Sequence, residues 1–403
     1  MSEEIHQGFT ARHAYSVGFT RNLFDPANSL LPDLLGSTEP VRHRLLFFID
    51  EGVDRAFPDL SLRIRRFCQF HKGLIDRIAE PMVLPGGEAC KDGLTVADRV
   101  LRVFAGSGAD RHTFVVAIGG GAFIDMAGLA TTLCHRGLRF IRVPTTVLAQ
   151  NDAGIGVKNG VNYLGQKNFL GTFQVPTAVI NDYDFISGLE ERDKRAGIAE
   201  AIKVGLFKDP EVFQWLIDHR FELAAFEEDA MQYMIHRCAA LHVEHIGRGG
   251  DPFESGNKRP LDLGHWAAHR LEILSNYRLR HGEAVATGLA LDLAYSVARF
   301  GLDRRVLDDY ETLATDLGFE LWQPELLARK DRRWLIFDGL EQFREHLGGE
   351  LAVPMVRRPG DCLSTNHIDQ DLYLKLIRQL AEPRPVRPPV RLLARNMRNE
   401  DRL

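Results

Sequence analysis

Residues 119–128 read GGGAFIDMAG, with the apolar run TFVVAI directly before them and the apolar pattern LATTL directly after. A strand, a glycine turn and a helix start in that order fix the local topology to the first half of a β–α unit. Three consecutive glycines place no Cβ between the backbone N–H groups and an approaching ligand. The helix N-terminus behind them adds partial positive charge. On this reading Asp125 falls in the first helical turn. The spacing is not GxGxxG, so two interpretations stand: a cradle for the pyrophosphate of a cofactor, or a plain tight strand-to-helix turn.

The same alternation runs through the first half of the chain. RLLFFID (44–50), PMVLP (81–85), RFIRVP (139–144) and TAVIND (177–182) read as strands, with helical patterns at 58–78 and 92–106. Such alternation predicts right-handed βαβ units and a parallel sheet, whose ligands lie beyond the carboxyl ends of the strands. Asp50 and Gly119–Gly121 fall at those ends. From about residue 186 the period becomes helical, over 190–207, 210–224, 228–247, 264–275, 282–300, 303–317 and 339–347. The expected organisation is an α/β domain over 1–185, a mostly α-helical domain over 186–382, and a basic Pro/Arg-rich tail over 383–403.

Charge and composition exclude several partners. A net charge of −5 on 403 residues supplies no global basic field for nucleic acid or an anionic membrane. The opening MSEEIHQGFTARH has no apolar signal core, and AVATGLALDLAYSVA (284–298) is interrupted by Asp292. A cytoplasmic protein without membrane association is therefore expected. Five scattered cysteines without CxxC spacing argue against both a disulfide framework and a zinc knuckle.

The second half holds GHWAAH (264–269) and HGE (281–283). His265 and His269 are four apart and share a helical face, a spacing open to a chelating pair or to a structural one. His281 nearby favours a metal, which a carboxylate would complete while leaving an open position. Spacing alone does not name that acid; Glu200 in AGIAEAIK is one candidate. KNGVNYLGQKNFLG (158–171) reads as a glycine-punctuated loop carrying Lys158, Lys167, Asn162 and Asn168. Ammonium groups for phosphate and amides for hydroxyls suit an anionic, polyhydroxylated ligand.

Further motifs complete an ordered series: PGGEACK (85–91), RG (136–137), VPTTVLAQNDAGIGVKNGVN (143–162), GQKNFLGTF (165–173), AGIAEAIK (196–203), LDLGHWAAH (261–269) and HGEAVATG (281–288). Together with the glycine turn they resemble the dehydroquinate synthase-like sugar-phosphate cyclases, from about residue 44 to about residue 300. The resemblance implies a Rossmann-like NAD-binding domain and a helical metal-binding domain, usually in a homodimer, with zinc or cobalt as the divalent ion. It places Asp50, Glu88, Lys91, Gly120, Gly121, Asp125, Thr145 and Thr146 at the cofactor, and Glu200, His265 and His281 at the metal. His269 would then face the substrate phosphate. Lys158, Lys203, Asp152, His269 and Asp262 would be the catalytic set, while Arg136, Lys167, Asn168 and Lys258 would hold substrate. The implied enzyme is a carbon–oxygen lyase: transient oxidation by NAD, β-elimination of phosphate, reduction by the same cofactor, then intramolecular aldol closure.

Three departures from the family pattern bear on the substrate. His242 stands where a lysine is expected, Lys258 where an arginine meets a substrate carboxylate, and Asp262 where an asparagine precedes GH. A point charge replaces a bidentate fork, and a negative charge is added where an anionic substrate would sit. The expectation is a cyclase acting on a heptulose 7-phosphate such as sedoheptulose 7-phosphate, for cyclitol biosynthesis. Three other activities compete: 3-dehydroquinate synthase on 3-deoxy-arabino-heptulosonate 7-phosphate, a metal-dependent NAD(P) alcohol dehydrogenase, and a non-catalytic scaffold.

Overall fold

Strand β5 (Phe114–Gly119) is buried along its whole length, as a strand is only inside a sheet covered on both faces. A computed structural model, which describes residues 4–8, 10–37, 41–248, 253, 260–346 and 349–382, shows that sheet. Its other strands are β1 (Ser16–Thr20), β2 (His43–Asp50), β3 (Ile75–Arg77), β4 (Met82–Leu84), β6 (Arg139–Pro144) and β9 (Ala178–Asp182). The order is β1-β9-β6-β5-β2-β3, with β4 also on β2, and every pairing is parallel. Helices α1 (Leu30–Gly36), α2 (Glu51–Ala56), α3 (Leu60–Phe70), α4 (Thr95–Ser107) and α5 (Gly121–Leu133) accompany it. Phe104, Phe123, Ile124 and Ala127 from α4 and α5 pack on Phe48, Val115, Ala117 and Phe140 of the sheet.

The expected strands at 44–50, 81–85, 113–118, 139–144 and 177–182 are all present. The helical pattern read over 58–78 ends at Phe70, and its last part is the edge strand β3. The loop read at 158–171 is instead an antiparallel hairpin of β7 (Lys158–Tyr163) and β8 (Gln166–Phe173). Leu164 (φ 50°) and Gly165 (φ 74°) make its turn with two left-handed residues, the geometry that suits a two-residue hairpin. Its polar sequence hid it, since Asn159, Gly160 and Asn162 occupy buried strand positions usually held by apolar residues.

The second compact unit contains α6 (Asp184–Ser187), α7 (Glu191–Lys208), α8 (Pro210–Asp218), α9 (Arg220–Ala224), α10 (Glu228–Arg248), α11 (His265–Leu274), α12 (His281–Phe300), α13 (Arg304–Asp316), α14 (Asp338–His346) and α15 (Gln370–Leu380). Short hairpins β10 (Arg329–Lys330) with β11 (Arg333–Trp334) and β12 (Val353–Arg358) with β13 (Asp361–Thr365) complete it. The single helix expected over 210–224 breaks at His219 into α8 and α9. Helix α12 is buried almost throughout because glycines let its backbone touch its neighbours. A Cβ on Gly282 would stand 1.8 Å from Ala196 O, and one on Gly288 would stand 2.0 Å from Gly264 O.

One boundary differs from the expected cut at residue 185. The first unit comprises the chain to Pro144 together with Val157–Asp182, while Thr145–Gly156 belongs with Tyr183 onward. The reason is local bonding: Asn151 Nδ2 donates to Gly197 O at 2.9 Å, and Asp152 pairs with Lys203 and His242. No helix among the described residues is long and apolar enough to cross a membrane. Lys258 and the tail at 383–403 lie outside the described residues.

Candidate active site

In the second unit, three helices converge on one carboxylate. Glu200 lies within α7 and is almost wholly buried, while His265 and His281 are the first residues of α11 and α12. The close helix contacts at Gly282 and Gly288 are what bring these three side chains together. His281 Nε2 stands 3.2 Å and His265 Nε2 3.5 Å from Glu200 Oε1. The outer nitrogens are already held: His265 Nδ1 by Leu263 O at 3.0 Å, His281 Nδ1 by Glu272 Oε2 at 3.0 Å. A ring fixed through Nδ1 presents the Nε2 lone pair inward, the arrangement of a metal-ligating histidine with its supporting partner.

His269 lies one turn along α11, and the ligand nitrogens of His265, His269 and His281 are all within 4.8 Å of one another. Neither Glu200 oxygen makes a well-directed hydrogen bond, although Lys203 Nζ is 2.5 Å from Oε2. A buried carboxylate left unsatisfied beside converging imidazoles is the donor set of a divalent cation such as zinc. Burial alone would raise the Glu200 carboxyl, but Lys203 and His265 more than offset it and hold it well below the usual carboxylate range.

Ala149–Ala153 forms a short π-helical turn that carries Asp152. Thr146 Oγ1 accepts from Ala149 N at 3.1 Å at its start, and the neighbouring Thr145 is buried. The turn seats against α7 where Gly197 leaves room, for a Cβ there would lie 2.5 Å from Val147. Asp152 Oδ2 is 3.1 Å from Lys203 Nζ, and its Oδ1 is 2.8 Å from His242 Nδ1. Burial would raise Asp152, yet Lys203 and His242 outweigh burial and keep it ionised. Burial would likewise lower Lys203, but Asp152 and Glu200 raise it above the ordinary lysine value. Asp262 sits half-buried on the 3-10 turn Pro260–Asp262 ahead of α11.

In the first unit, Asp50 ends β2 and caps α2, accepting from Gly52 N at 2.7 Å. The glycines around it are required by space: a Cβ on Gly86 would stand 1.8 Å from Asp50 Oδ1, and one on Gly119 would stand 2.9 Å from Asp50 Cβ. Burial raises the Asp50 pKa against the N–H groups of Gly52, Gly87 and Gly120. Gly120 caps α5 and Gly121 begins it, at the end of β5. Asp125 lies just past the first turn of α5 rather than within it. Its carboxylate pairs with the buried Lys91 at 2.8 Å, and Lys91 also donates to Asn168 Oδ1 at 2.6 Å. Asn168 N donates to Asn162 Oδ1 at 2.9 Å, Asn162 Nδ2 to Glu88 Oε1 at 3.3 Å, and Lys167 lies 3.8 Å from Glu88.

The structure thus brings Glu88, Lys91, Asp125, Lys167 and Asn168 into one network. Lys158 is exposed at the start of β7, its carbonyl held by Arg142 at 2.9 Å. Arg136 is exposed in a left-handed turn after α5. Two functional side chains were missed from sequence as partners. Glu272 is seven residues beyond His265, so both lie on one face of α11, a signal that was available. The pairing of His242 with Asp152 spans two distant segments and left no local pattern.

Sequence profiles described as 3-dehydroquinate synthase N-terminal and C-terminal match residues 81–196 and 197–334. A 3-dehydroquinate synthase of Saccharophagus degradans is 33% identical over 295 residues, 73% of this chain and 79% of that protein. The structure is similar to ValA, the 2-epi-5-epi-valiolone synthase of Streptomyces hygroscopicus subsp. jinggangensis with NAD+ and Zn2+ bound. That likeness has TM-score 0.82 and 27% identity, covering 94% of this chain and 99% of the other. A 2-deoxy-scyllo-inosose synthase complexed with carbaglucose-6-phosphate, NAD+ and Co2+ shares the fold at TM-score 0.70 and 20% identity, over 90% and 96% of the two chains.

Proposed function

Since this chain belongs to the 3-dehydroquinate synthase family, we propose that it is a sugar-phosphate cyclase acting on a heptulose 7-phosphate such as sedoheptulose 7-phosphate. The observation that carries the substrate class is the likeness to a valiolone-type synthase over nearly the whole chain, at TM-score 0.82. Asp262 supports it. A half-buried carboxylate shortly before His265 in the chain disfavours a substrate that brings a carboxylate of its own.

Two resident groups fit the residues present. NAD would be held by Asp50, Glu88, Lys91, Gly120, Gly121, Asp125, Thr145 and Thr146, with Gly86 and Gly119 giving the Asp50 side chain room at the strand ends. Glu200, His265 and His281 would hold a divalent ion, the unsatisfied Glu200 oxygens being the fitting donors. When bound, these groups would supply Lewis acidity and hydride transfer in both directions, before and after phosphate β-elimination, with aldol closure following.

The chain's own residues do the rest. Lys203 lies between Glu200 and Asp152 and favours the ionised form of both carboxylates. Asp152 orients a substrate hydroxyl as an acceptor. Arg136, Lys158, Lys167, Asn168 and Lys258 hold the anionic substrate, and His269 faces its phosphate. We assign the metal to the second unit and a homodimer as the working assembly.

The test is incubation of the purified enzyme with sedoheptulose 7-phosphate and, separately, 3-deoxy-arabino-heptulosonate 7-phosphate, with product identification. Phosphate release and a carbocycle from the former are expected. Turnover of the latter alone overturns the substrate assignment and leaves the family membership standing.

A further inference from the structure

One imidazole of the second unit lies beside Asp152 and outside the metal cluster. His242 lies on α10, nearly buried, with Nδ1 2.8 Å from Asp152 Oδ1. The charged groups facing it are Asp152 from the π-helical turn and, behind that carboxylate, Lys203 from α7. Cys238 precedes it by one turn on its own helix, fully buried, its thiol pushed up by burial to about 12. On its other side the chain presents Gly156, where a Cβ would be 3.6 Å from Nε2, so no side chain covers that nitrogen there.

Each neighbour is a poor base. Lys203 is clamped between two carboxylates at 2.5 and 3.1 Å and has no lone pair to offer. Asp152 is held as a carboxylate chiefly by the Lys203 ammonium. A carboxylate oxygen 2.8 Å from Nδ1 repels a lone pair there, which favours the tautomer with hydrogen on Nδ1 and the lone pair on Nε2, and the same carboxylate balances the protonated ring.

We propose that His242 is a proton-transfer group of this site, with Asp152 as the residue that positions it. The substrate O–H bond breaks, an Nε2–H bond forms, and the proton is later returned from Nε2 to a substrate oxygen, with no change of oxidation state. Because the proposal rests on the sugar-phosphate reading given above, its test separates the two.

In the wild-type enzyme labelled with 15N-histidine, the His242 ring at neutral pH is expected as the Nδ1–H tautomer. Observation of the Nε2–H tautomer overturns the proposal whatever the substrate. His242→Gln, checked for unchanged metal content and melting temperature, is expected to lose about 10²–10⁴ in kcat with KM changed by less than about threefold. It should also lose the acid limb of the kcat–pH profile, which a purely structural role would leave in place. If wild type converts sedoheptulose 7-phosphate and His242→Gln does so at the same rate with the same limb, the proposal fails and the functional reading stands. If wild type converts neither sugar phosphate, the functional reading fails and the tautomer alone decides the dyad. If the variant does not fold, the tautomer and the wild-type limb decide.

Discussion

The amide oxygen of Asn159 occupies the space that a Cβ would need at Gly128, the two positions lying 1.8 Å apart. That oxygen also accepts from the fully buried Arg142 at 2.8 Å, and Arg142 in turn holds Lys158 O at 2.9 Å. One glycine in α5 therefore sets where β7 begins. Gly128→Ala is expected to destabilise the protein by about 2–4 kcal/mol, through overpacking and a broken buried hydrogen bond. A melting temperature within about 1 °C of wild type would show that the hairpin yields without loss.

Divalent cation binding should be visible as stability. Zinc at about a hundred times its Kd is expected to add about 2.7 kcal/mol, and Glu200→Gln to abolish that gain. Glu272→Ala touches no proposed ligand atom, yet it releases His281 Nδ1 and should weaken metal affinity by about 10–100-fold in a chelator competition. Unchanged affinity would remove Glu272 from the metal's supporting shell.

Lys203 has two anionic partners and is itself almost wholly buried. Lys203→Met leaves Asp152 and Glu200 facing each other without a cation. Breaking a buried pair from one side costs about 3–5 kcal/mol, measurable by denaturant unfolding. A loss below about 1 kcal/mol would mean that water or a metal ion already compensates these carboxylates.

Asp292 makes the stability depend on pH. Burial raises its pKa from 3.8 to about 6, against hydrogen bonds from Trp266, Tyr373 and Gly264 N. The folded state thus binds this proton more tightly than the unfolded chain does. Its contribution is fully present below pH 3.8 and is lost as pH rises through about 6, a change of about 3 kcal/mol. Asp292→Asn removes the titration, so the stability of wild type relative to the variant should fall between pH 4 and pH 7, roughly the span of that shift. A gap that stays constant across this range would place the Asp292 titration elsewhere.

The central strands were readable because burial on both faces writes them as unbroken apolar runs, LLFFI in β2 and FVVAI in β5. The edge strand β1 and the hairpin β7–β8 carry no such run, and the hairpin's buried positions hold asparagine and glycine in service of polar neighbours. At the site, His265 and His281 were near enough in sequence to be noticed together. Glu200 needed the resemblance, because only the glycine contacts of α12 with α7 and α11 bring it to them. His242 and Asp152 meet because a π-helical turn departs from the regular strand-to-helix connection, and no periodicity announces such a turn.

The assignment of Thr145–Gly156 to the second unit, while the strands on either side of it stay with the first, makes this chain a poor subject for recombination. A single crossover near residue 185 would take α7 and α10 from one parent and the turn that carries Asp152 from the other. An exchange between relatives has to carry two separate stretches of the gene together. A chimera joined near residue 185 would pair Asp152 of one parent with Lys203 of the other, so their fit across the join sets whether it keeps a balanced site.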